Sequence, residues 1–257
     1  MQKNPTAQAT DTSWQGLYRI AGVAAILIVI VALTDIVLSS TQGAAVGPAT
    51  LSAEGWFARF ETGWFLRMCD LGFWNIVTGA LMIPVVVALY GAHRRVTPAY
   101  MALGAAIYLV GIAIYASNNV AIPMALLSNK YAAASEAQRS TLAAAGEAML
   151  ARGEDFTPGS LVGFLYTETA GLIISVIMLR SRVFSKVNAY AGIIAFTLLM
   201  LFTLWATATS TMGTVALLVA MIGGVASVVW YVLMARRFFQ LSRGAEANAT
   251  GATRVRA

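Results

Sequence analysis

The sequence contains one cysteine, one histidine and few charged residues. Cys69 and His93 are the sole members of their types among 257 residues, and charged residues make up 11% of the chain, against roughly 25% in soluble domains. One cysteine excludes an intrachain disulfide and a thiolate metal cage, and one histidine excludes a paired-histidine haem site. We therefore predict no metal site and no cofactor, and the composition excludes an ordinary soluble enzyme.

Apolar side chains dominate the rest of the sequence. They make up 59% of the residues, and the mean hydropathy is +0.73. Six apolar runs of about 20 residues are long enough to cross the hydrocarbon core of a bilayer. They cover residues 17–38, 71–90, 100–119, 161–179, 189–208 and 215–234. Because continuous runs of this kind are typical of helices and not of barrel strands, we predict an all-α membrane protein built as a six-transmembrane-helix bundle.

Lysine and arginine are distributed unequally between the two ends of this bundle. If the termini and every second loop share one side, that side holds most of the 17 basic residues, including Arg94, Arg95 and Lys186. Loops rich in Lys and Arg stay in the cytoplasm. We therefore predict that both termini are cytoplasmic. His93 precedes the two arginines in a short inner loop, and we expect its side chain to be solvated.

Two long connections on the opposite side are predicted to carry amphipathic extracytoplasmic helices. In the first, at 39–70, apolar residues recur at helical spacing: Phe57, Phe60, Trp64 and Met68. This pattern is typical of a helix lying at the headgroup level. The second, at 120–160, has a capping box at Ser135 and Gln138 and a glycine stop at Gly153. We expect both helices to lie over the outer mouth of the bundle.

The composition divides the chain into one membrane domain and two tails. Residues 14–241 contain all six apolar runs and form the predicted membrane domain. Residues 1–13 and 242–257 are polar and rich in small side chains, so they have little apolar surface to bury. We predict that both tails are disordered and cytoplasmic.

Glu168 is the most informative polar residue within the apolar runs. It lies near the middle of the fourth run, where an acidic side chain costs roughly 2.5–3.5 kcal/mol on insertion scales. Its helical face also holds Gly171 and Ser175, and such a small, polar stripe should point into the bundle. Two interpretations stay open. Glu168 is either a solute, ion or proton site, or a structural carboxyl that is protonated or hydrogen-bonded to Asn75, a tyrosine or a threonine.

Three more polar residues complete the candidate ligand-binding or proton site: Asn75, Tyr115 and Asp35. They lie in the second run, near the outer end of the third run and in the outer part of the first run. For Asn75 the alternative is interhelical hydrogen bonding, and for Asp35 it is simple hydration near the interface. The chain has no P-loop, no dinucleotide fingerprint, no zinc-protease motif and no nucleophile elbow, so we predict no catalytic residue.

Four segments of the chain resemble a family of bacterial multi-pass membrane proteins. They are YRIAGV at 18–23, ALYGAHRR at 88–95, YASNNVAIPMALLSNKYAAA at 115–134 and MLRSRVFSK at 178–186. Through them the chain is similar, over about 18–241, to a domain-of-unknown-function family, number four-three-eight-six. The resemblance implies six helices and a location in the bacterial plasma (inner) membrane. It implies no activity and no site residues.

Three functions fit this sequence, and we favour the first. It is a non-catalytic accessory, sensory or scaffold subunit, which packed helices with Glu168 bonded inside the bundle would support. The second is a binding or transport protein, solute- or proton-linked, with an outward-facing polar cavity around Glu168, Asn75 and Tyr115. The third is an intramembrane enzyme acting on a lipid. It would need two acid–base groups near one substrate atom, and the candidates at depth are Asp35 and Glu168.

The expected partner is the lipid bilayer. Small-x-x-x-small patterns from Ala220 to Gly224 and from Gly223 to Ser227 indicate close helix packing. They leave open a homodimer or a membrane-protein partner. The basic residues lie at the predicted cytoplasmic edges and do not form a groove, so no nucleic-acid partner is expected.

Overall fold

The computed structural model describes the backbone of residues 5–42, 51–209 and 214–254, and the side chains of 14–38, 51–209 and 214–243. The described residues form helices and no strand, which confirms the all-α prediction. Six long helices are α1 (Pro5–Gln42), α4 (Trp74–His93), α5 (Pro98–Asn118), α8 (Pro158–Ser181), α9 (Lys186–Ala208) and α10 (Thr214–Arg254). Four shorter ones are α2 (Ala53–Glu61), α3 (Trp64–Met68), α6 (Ala121–Ala132) and α7 (Glu136–Gly153), and a π-helical turn at Cys69–Phe73 joins α3 to α4.

Six helical stretches of the described residues are long and apolar enough to cross a membrane, as predicted. The fourth stretch, Glu136–Ser181, contains both α7 and α8. Its crossing part is α8, because 24 residues at 1.5 Å each span about 36 Å. By contrast, α7 carries charged residues along its whole length: Glu136, Arg139, Glu147 and Arg152. The loop at 154–157 therefore lies outside the membrane-spanning helix.

The six long helices pack side by side in a closed order. Around the bundle, α1 contacts α4, α4 contacts α5, α5 contacts α8, α8 contacts α9, α9 contacts α10, and α10 returns to α1. Large apolar side chains fill the middle: Met82, Leu89, Met101, Ile174, Met178, Trp230 and Phe238. Each is at most 1% exposed. The bundle interior is therefore a packed core.

The four short helices gather at one end of the bundle. There α2 packs on α6 and α7, α3 packs on α6, and α7 packs on α8. They enclose a second apolar core that includes Trp56, Phe57, Met124 and Leu150. We call this the capped end. The opposite end, with the arginine-containing loops at 94–97 and 182–185, is the basic end.

The connections differ in detail from the predicted pattern. The capping box of Ser135 and Gln138 is confirmed at the start of α7. The predicted helix through Phe57 and Trp64 is instead two helices, because α2 ends at Glu61 and Trp64 begins α3. Helix α6 was not predicted. That these helices lie outside the cytoplasm stays a prediction.

His93 is fully buried, so the prediction that it is solvated is wrong. Helix α4 continues through this residue, and its side chain therefore follows the buried face of Val86 and Leu89. Its Nδ1 lies 2.9 Å from the Leu89 carbonyl oxygen, and its ring stacks on Phe184 with centroids 5.6 Å apart. Sequence proximity to two arginines did not decide which way the imidazole points.

The domain boundaries at 14 and 241 and the disorder of both tails stay predictions. The first and last helices are continuous with parts of these segments, from Pro5 and to Arg254. Residues 1–4 and 255–257 of the predicted tails lie outside the described residues.

Candidate functional site

The backbone departs from regular helix just before α4. In the π-helical turn, Leu71 (φ −92°, ψ 25°) and Gly72 (φ 81°, ψ 17°) have non-helical dihedral angles. Glycine adopts such a positive φ without steric cost. A side chain at position 72 would also collide with the Tyr115 hydroxyl and crowd Asp155 and Asn119. The break directs the carbonyl oxygens of residues 71 and 72 toward side chains, and π-helical turns are frequent at functional sites.

Tyr115, near the end of α5, is the centre of a hydrogen-bond network at this break. Its hydroxyl donates to Asp155 Oδ1 at 2.6 Å and lies 3.2 Å from the Gly72 carbonyl oxygen. The same oxygen accepts a hydrogen bond from Asn75 Nδ2 at 3.3 Å. Because Tyr115 is 2% exposed, its hydroxyl depends on these protein partners.

Asp155 connects the loop before α8 to two other elements. Its Oδ1 accepts from Tyr115 on α5, and its Oδ2 accepts from Asn75 Nδ2 on α4 at 3.0 Å. Hydrogen bonds to a carboxylate are roughly twice as strong as those between neutral groups. One side chain therefore joins the α7–α8 loop to the bundle.

Asn119 completes the network from the junction between α5 and α6. Its Nδ2 donates to the Leu71 carbonyl oxygen at 2.9 Å and to the Tyr115 hydroxyl oxygen at 3.2 Å. Its Oδ1 accepts from the Ala121 amide at 3.0 Å and so satisfies the start of α6. We call Gly72, Asn75, Tyr115, Asn119 and Asp155 the capped-end network.

Further acidic groups surround the capped-end network. Asp35 of α1 is close enough to Asp70 and Asp155 for their charges to repel. Asp70 is paired with Arg67, whose Nη1 lies 2.8 Å from Asp70 Oδ2. Burial raises the pKa of Asp155 to about 6, although the hydrogen bonds from its two donors favour the charged form.

Glu154, the neighbour of Asp155, is also perturbed. Burial, with the charges of Asp155 and Glu147 as further causes, raises the pKa of Glu154 to about 8. Phe156, which follows Asp155, has a left-handed backbone (φ 65°). Its ring packs against Phe164 and edge-on against Phe202, so aromatic contacts hold this short acidic loop in place.

Glu168 belongs to a separate pair deeper in the bundle. Its Oε1 accepts from Thr203 Oγ1 of α9 at 2.8 Å, and both residues are buried. Its Oε2 has no hydrogen-bond partner among the described residues. The bond to a threonine corresponds to the structural interpretation. Because Oε2 has no partner among the described residues, binding of a proton or an ion at Glu168 stays a proposal.

Of the four predicted site residues, two meet directly. Asn75 and Tyr115 share the capped-end network, and Asp35 lies near its carboxylate. Glu168 bonds elsewhere, although Phe164, one helical turn before it, packs against the Tyr115 ring. Within the described part of the chain, no hydrogen bond joins the two sites.

Asp155 and Gly72 were not predicted as site residues. Sequence signals for them are weak, because an acidic pair shortly before a proline indicates only a polar loop and a glycine at the start of an apolar run indicates only flexibility. Across the described ranges, no group of three or more His, Cys, Asp or Glu side chains is placed to hold a metal ion.

The region from the π-helical turn to α10 carries most of this geometry. The family described as "Domain of unknown function (DUF4386)" matches residues 71–235, more than half of the chain. The chain belongs to this family. The matched region of the DUF4386 chain contains the whole capped-end network and Glu168, whereas Asp35 precedes it. No curated protein and no solved structure matches the chain.

Proposed function

We propose that this DUF4386 protein is a non-catalytic sensory or accessory subunit of the bacterial inner membrane whose capped end responds to protons. One observation carries the proposal: the carboxylate of Asp155 accepts one hydrogen bond from α4 and one from α5. When this carboxylate loses its proton, it becomes a buried charge that Asp35 and Glu154 repel. The loop that leads from α7 into α8 would then loosen as the pH rises.

The surroundings of Asp155 support a proton response near neutral pH. The raised pKa of Asp155, about 6, is within the range of pH that a bacterium meets outside its cytoplasm. Five other charged groups contribute to the electrostatics of the capped end. They come from α1, from the π-helical turn and its preceding helix, and from α7 with its loop: Asp35, Asp70, Arg67, Glu147 and Glu154. Acids outnumber bases in this set, so protonation relieves repulsion.

The packing supports a non-catalytic role over lipid chemistry. The two acids expected at depth have different neighbours: Asp35 interacts with the capped-end carboxyls, and Glu168 bonds to Thr203. An acid–base reaction needs both groups within reach of one substrate atom. No interaction among the described residues joins them.

A fluorescent reporter on α7 tests the proton response. The exposed Ala144 is replaced by Cys in a Cys69→Ala background, labelled with an environment-sensitive dye, and the protein is reconstituted in vesicles. We expect a signal change with a midpoint near pH 6 that Asp155→Asn abolishes. Glu61→Gln, at an exposed carboxyl of the same end, should leave the change intact. A midpoint unaltered by Asp155→Asn would contradict the proposal.

The proposed orientation places the capped end outside the cytoplasm. It follows from the arginines and lysine at the basic end, which the positive-inside tendency keeps in the cytoplasm. In intact cells an impermeant thiol reagent should label Ala144→Cys and not Lys186→Cys, each in the Cys69→Ala background. The reverse labelling would overturn the orientation.

Binding or transport at Glu168 is the second candidate. The specific observation in its favour is that Oε2 of this buried side chain has no hydrogen-bond partner among the described residues. If the site passes protons, vesicles under a pH gradient should acidify faster with wild type than with Glu168→Gln. Equal rates would remove this candidate and leave the sensory proposal untouched.

For the partner, we propose a second copy of the chain that packs on α10. Gly223 faces Leu198 and Leu199 of α9, whereas the space next to Gly224 is open. Gly223 therefore packs within the bundle, and the surface at Gly224 is available to a second copy. Gly224→Cys in the Cys69→Ala background should give a disulfide-linked dimer in membranes. Leu201→Cys, 53% exposed on α9, is the control. Capture of a different membrane protein at position 224 would contradict the homodimer.

A further inference from the structure

A groove runs along the outside of the bundle between α1 and α10. Its volume is about 280 Å³, and its walls are formed by Ile26, Val29 and Ile30 on one helix and by Val232, Ala235 and Arg236 on the other. All but the last are apolar. The groove itself is almost wholly apolar, and Arg236 borders it with the apolar stem of its side chain.

Small residues make room for this groove. Ala235, which is 2% exposed, presents only a methyl group to the groove. Farther along α10, the ring of Phe239 closes one side of the groove and lies against Gly22 of α1, about 3.0 Å from where a side chain would begin. Larger residues at these positions would push the helices apart or fill the space between them.

Arg236 stands where the membrane interface is expected. It follows the apolar run of α10 by two residues, at the basic end, and its side chain is exposed. Ile26 and Ile30 lie two and three turns along α1 beyond Arg19, toward the middle of the hydrocarbon. An arginine at this level reaches the headgroups, while the groove beside it extends into the acyl region.

We propose that this groove binds one anionic phospholipid, with an acyl chain along Ile26 and Ile30 and the phosphate on Arg236. A guanidinium pairs with phosphate in a bidentate manner. Arg237 and Arg243 on the same helix add positive charge at this end, which favours a headgroup of net negative charge over a zwitterionic one. The proposal is independent of the proton response at the capped end.

Native mass spectrometry and thermal unfolding in detergent test the site with defined lipids. The probes are phosphatidylglycerol, phosphatidylcholine with the same acyl chains, and soluble glycerol phosphate. For wild type we expect one retained phosphatidylglycerol, a rise of the unfolding temperature by several degrees with that lipid, and a smaller rise with phosphatidylcholine. Glycerol phosphate, which has no chain to fill the groove, should produce neither effect.

Two pairs of variants separate the groove from the general surface. Arg236→Gln should lose the preference for the anionic lipid, whereas Arg243→Gln, on the same helix and outside the groove, should keep it. Ile26→Trp, which fills the groove, should weaken both lipids, whereas Val23→Trp on the exposed face of α1 should not.

Three results would overturn the proposal. The first is equal phosphatidylglycerol retention by the two glutamine variants, and the second is equal retention by the two tryptophan variants. The third is stabilisation by glycerol phosphate alone, which would mean that a free phosphate is the ligand and the groove is not used.

Discussion

Buried polar groups are hydrogen-bonded to different extents in the capped-end network and in the middle of the bundle. At the capped end, both oxygens of Asp155 and the hydroxyl of Tyr115 are hydrogen-bonded. Deeper in the bundle, Oε2 of Glu168, Oγ of Ser175 and Nε1 of Trp230 have no partner among the described residues. Buried polar groups are usually paired, so these groups of the capped-end network and these three side chains of the bundle differ in how completely they are satisfied.

This difference indicates where a polar network can form in a helical membrane protein. At the capped end a helix break and a loop bring carbonyls and side chains from several elements to one point. In the middle, each backbone is bonded within its own helix, so only side chains on facing surfaces can meet. Glu168 and Thr203 achieve one such contact across α8 and α9. Variants in both regions test this comparison.

Replacing Gly72 should have the largest effect. Gly72→Ala combines a positive φ of 81° with a collision against the Tyr115 hydroxyl, and we expect a loss of about 2–4 kcal/mol in the free energy of unfolding. The measurement is an SDS titration in mixed micelles. Gly63→Ala is the matched control, because its backbone is extended (φ 169°) and its nearest neighbour is 3.9 Å away. Equal losses would mean that the network does not depend on the break.

Removing the central hydroxyl should have the next largest effect. Tyr115→Phe leaves a buried carboxylate short of one donor, at an expected cost of about 2 kcal/mol by the same titration. Tyr108→Phe on the same helix is the control: this residue is 6% exposed and donates no hydrogen bond to another described residue. A similar cost at both positions would point to ring packing as the cause.

The stability of the protein should fall with rising pH because of Asp155. Its pKa of about 6 in the folded protein is above the ordinary value of 3.8, so the neutral acid is favoured by folding. This contribution is complete below pH 3.8 and is lost as the pH rises through 6. Between these limits we expect wild type to lose about 1–2 kcal/mol relative to Asp155→Asn. Parallel pH curves for the two proteins would contradict this assignment.

The Glu168 pair should be less costly to break. Thr203→Val removes the hydroxyl that donates to Oε1, and we expect a loss of about 1 kcal/mol in unfolding free energy. Thr207→Val, one turn farther along α9, removes only a bond to a backbone carbonyl of its own helix and should change stability by less than about 0.5 kcal/mol. If Thr207→Val is the costlier change, the Glu168 contact contributes little.

Glu168→Gln should have the smallest effect on stability. The amide oxygen of glutamine can accept the same bond from Thr203, and the change keeps the shape of the side chain. We expect the free energy of unfolding, measured by thermal unfolding in detergent at pH 7, to change by no more than about 0.5 kcal/mol. Strong destabilisation would instead mean that Glu168 is ionised and that its structural role depends on a cationic partner.

Composition and periodicity predicted the architecture well because the bilayer imposes it. A run of about 20 apolar residues must be a helix in hydrocarbon, whatever its neighbours are. The capping box of Ser135 and Gln138 was predictable for a similar reason: its donors and acceptors are local in sequence. Prediction was weaker where a residue's orientation mattered, as His93 illustrates by pointing into the core beside Phe184.

The candidate site was only half predictable. Asn75 and Tyr115 were recognisable because polar side chains in apolar helices are costly. Asp155 was not, because a carboxylate in a loop is ordinary and nothing nearby in sequence reveals its partners. The number and extent of the membrane helices thus follow from local apolarity, a property of the chain alone. Which polar groups meet depends on the packing order of α4, α5 and α8 and on the positive φ of Gly72, because hydrogen bonds act only over a few ångströms and those distances arise in the folded protein.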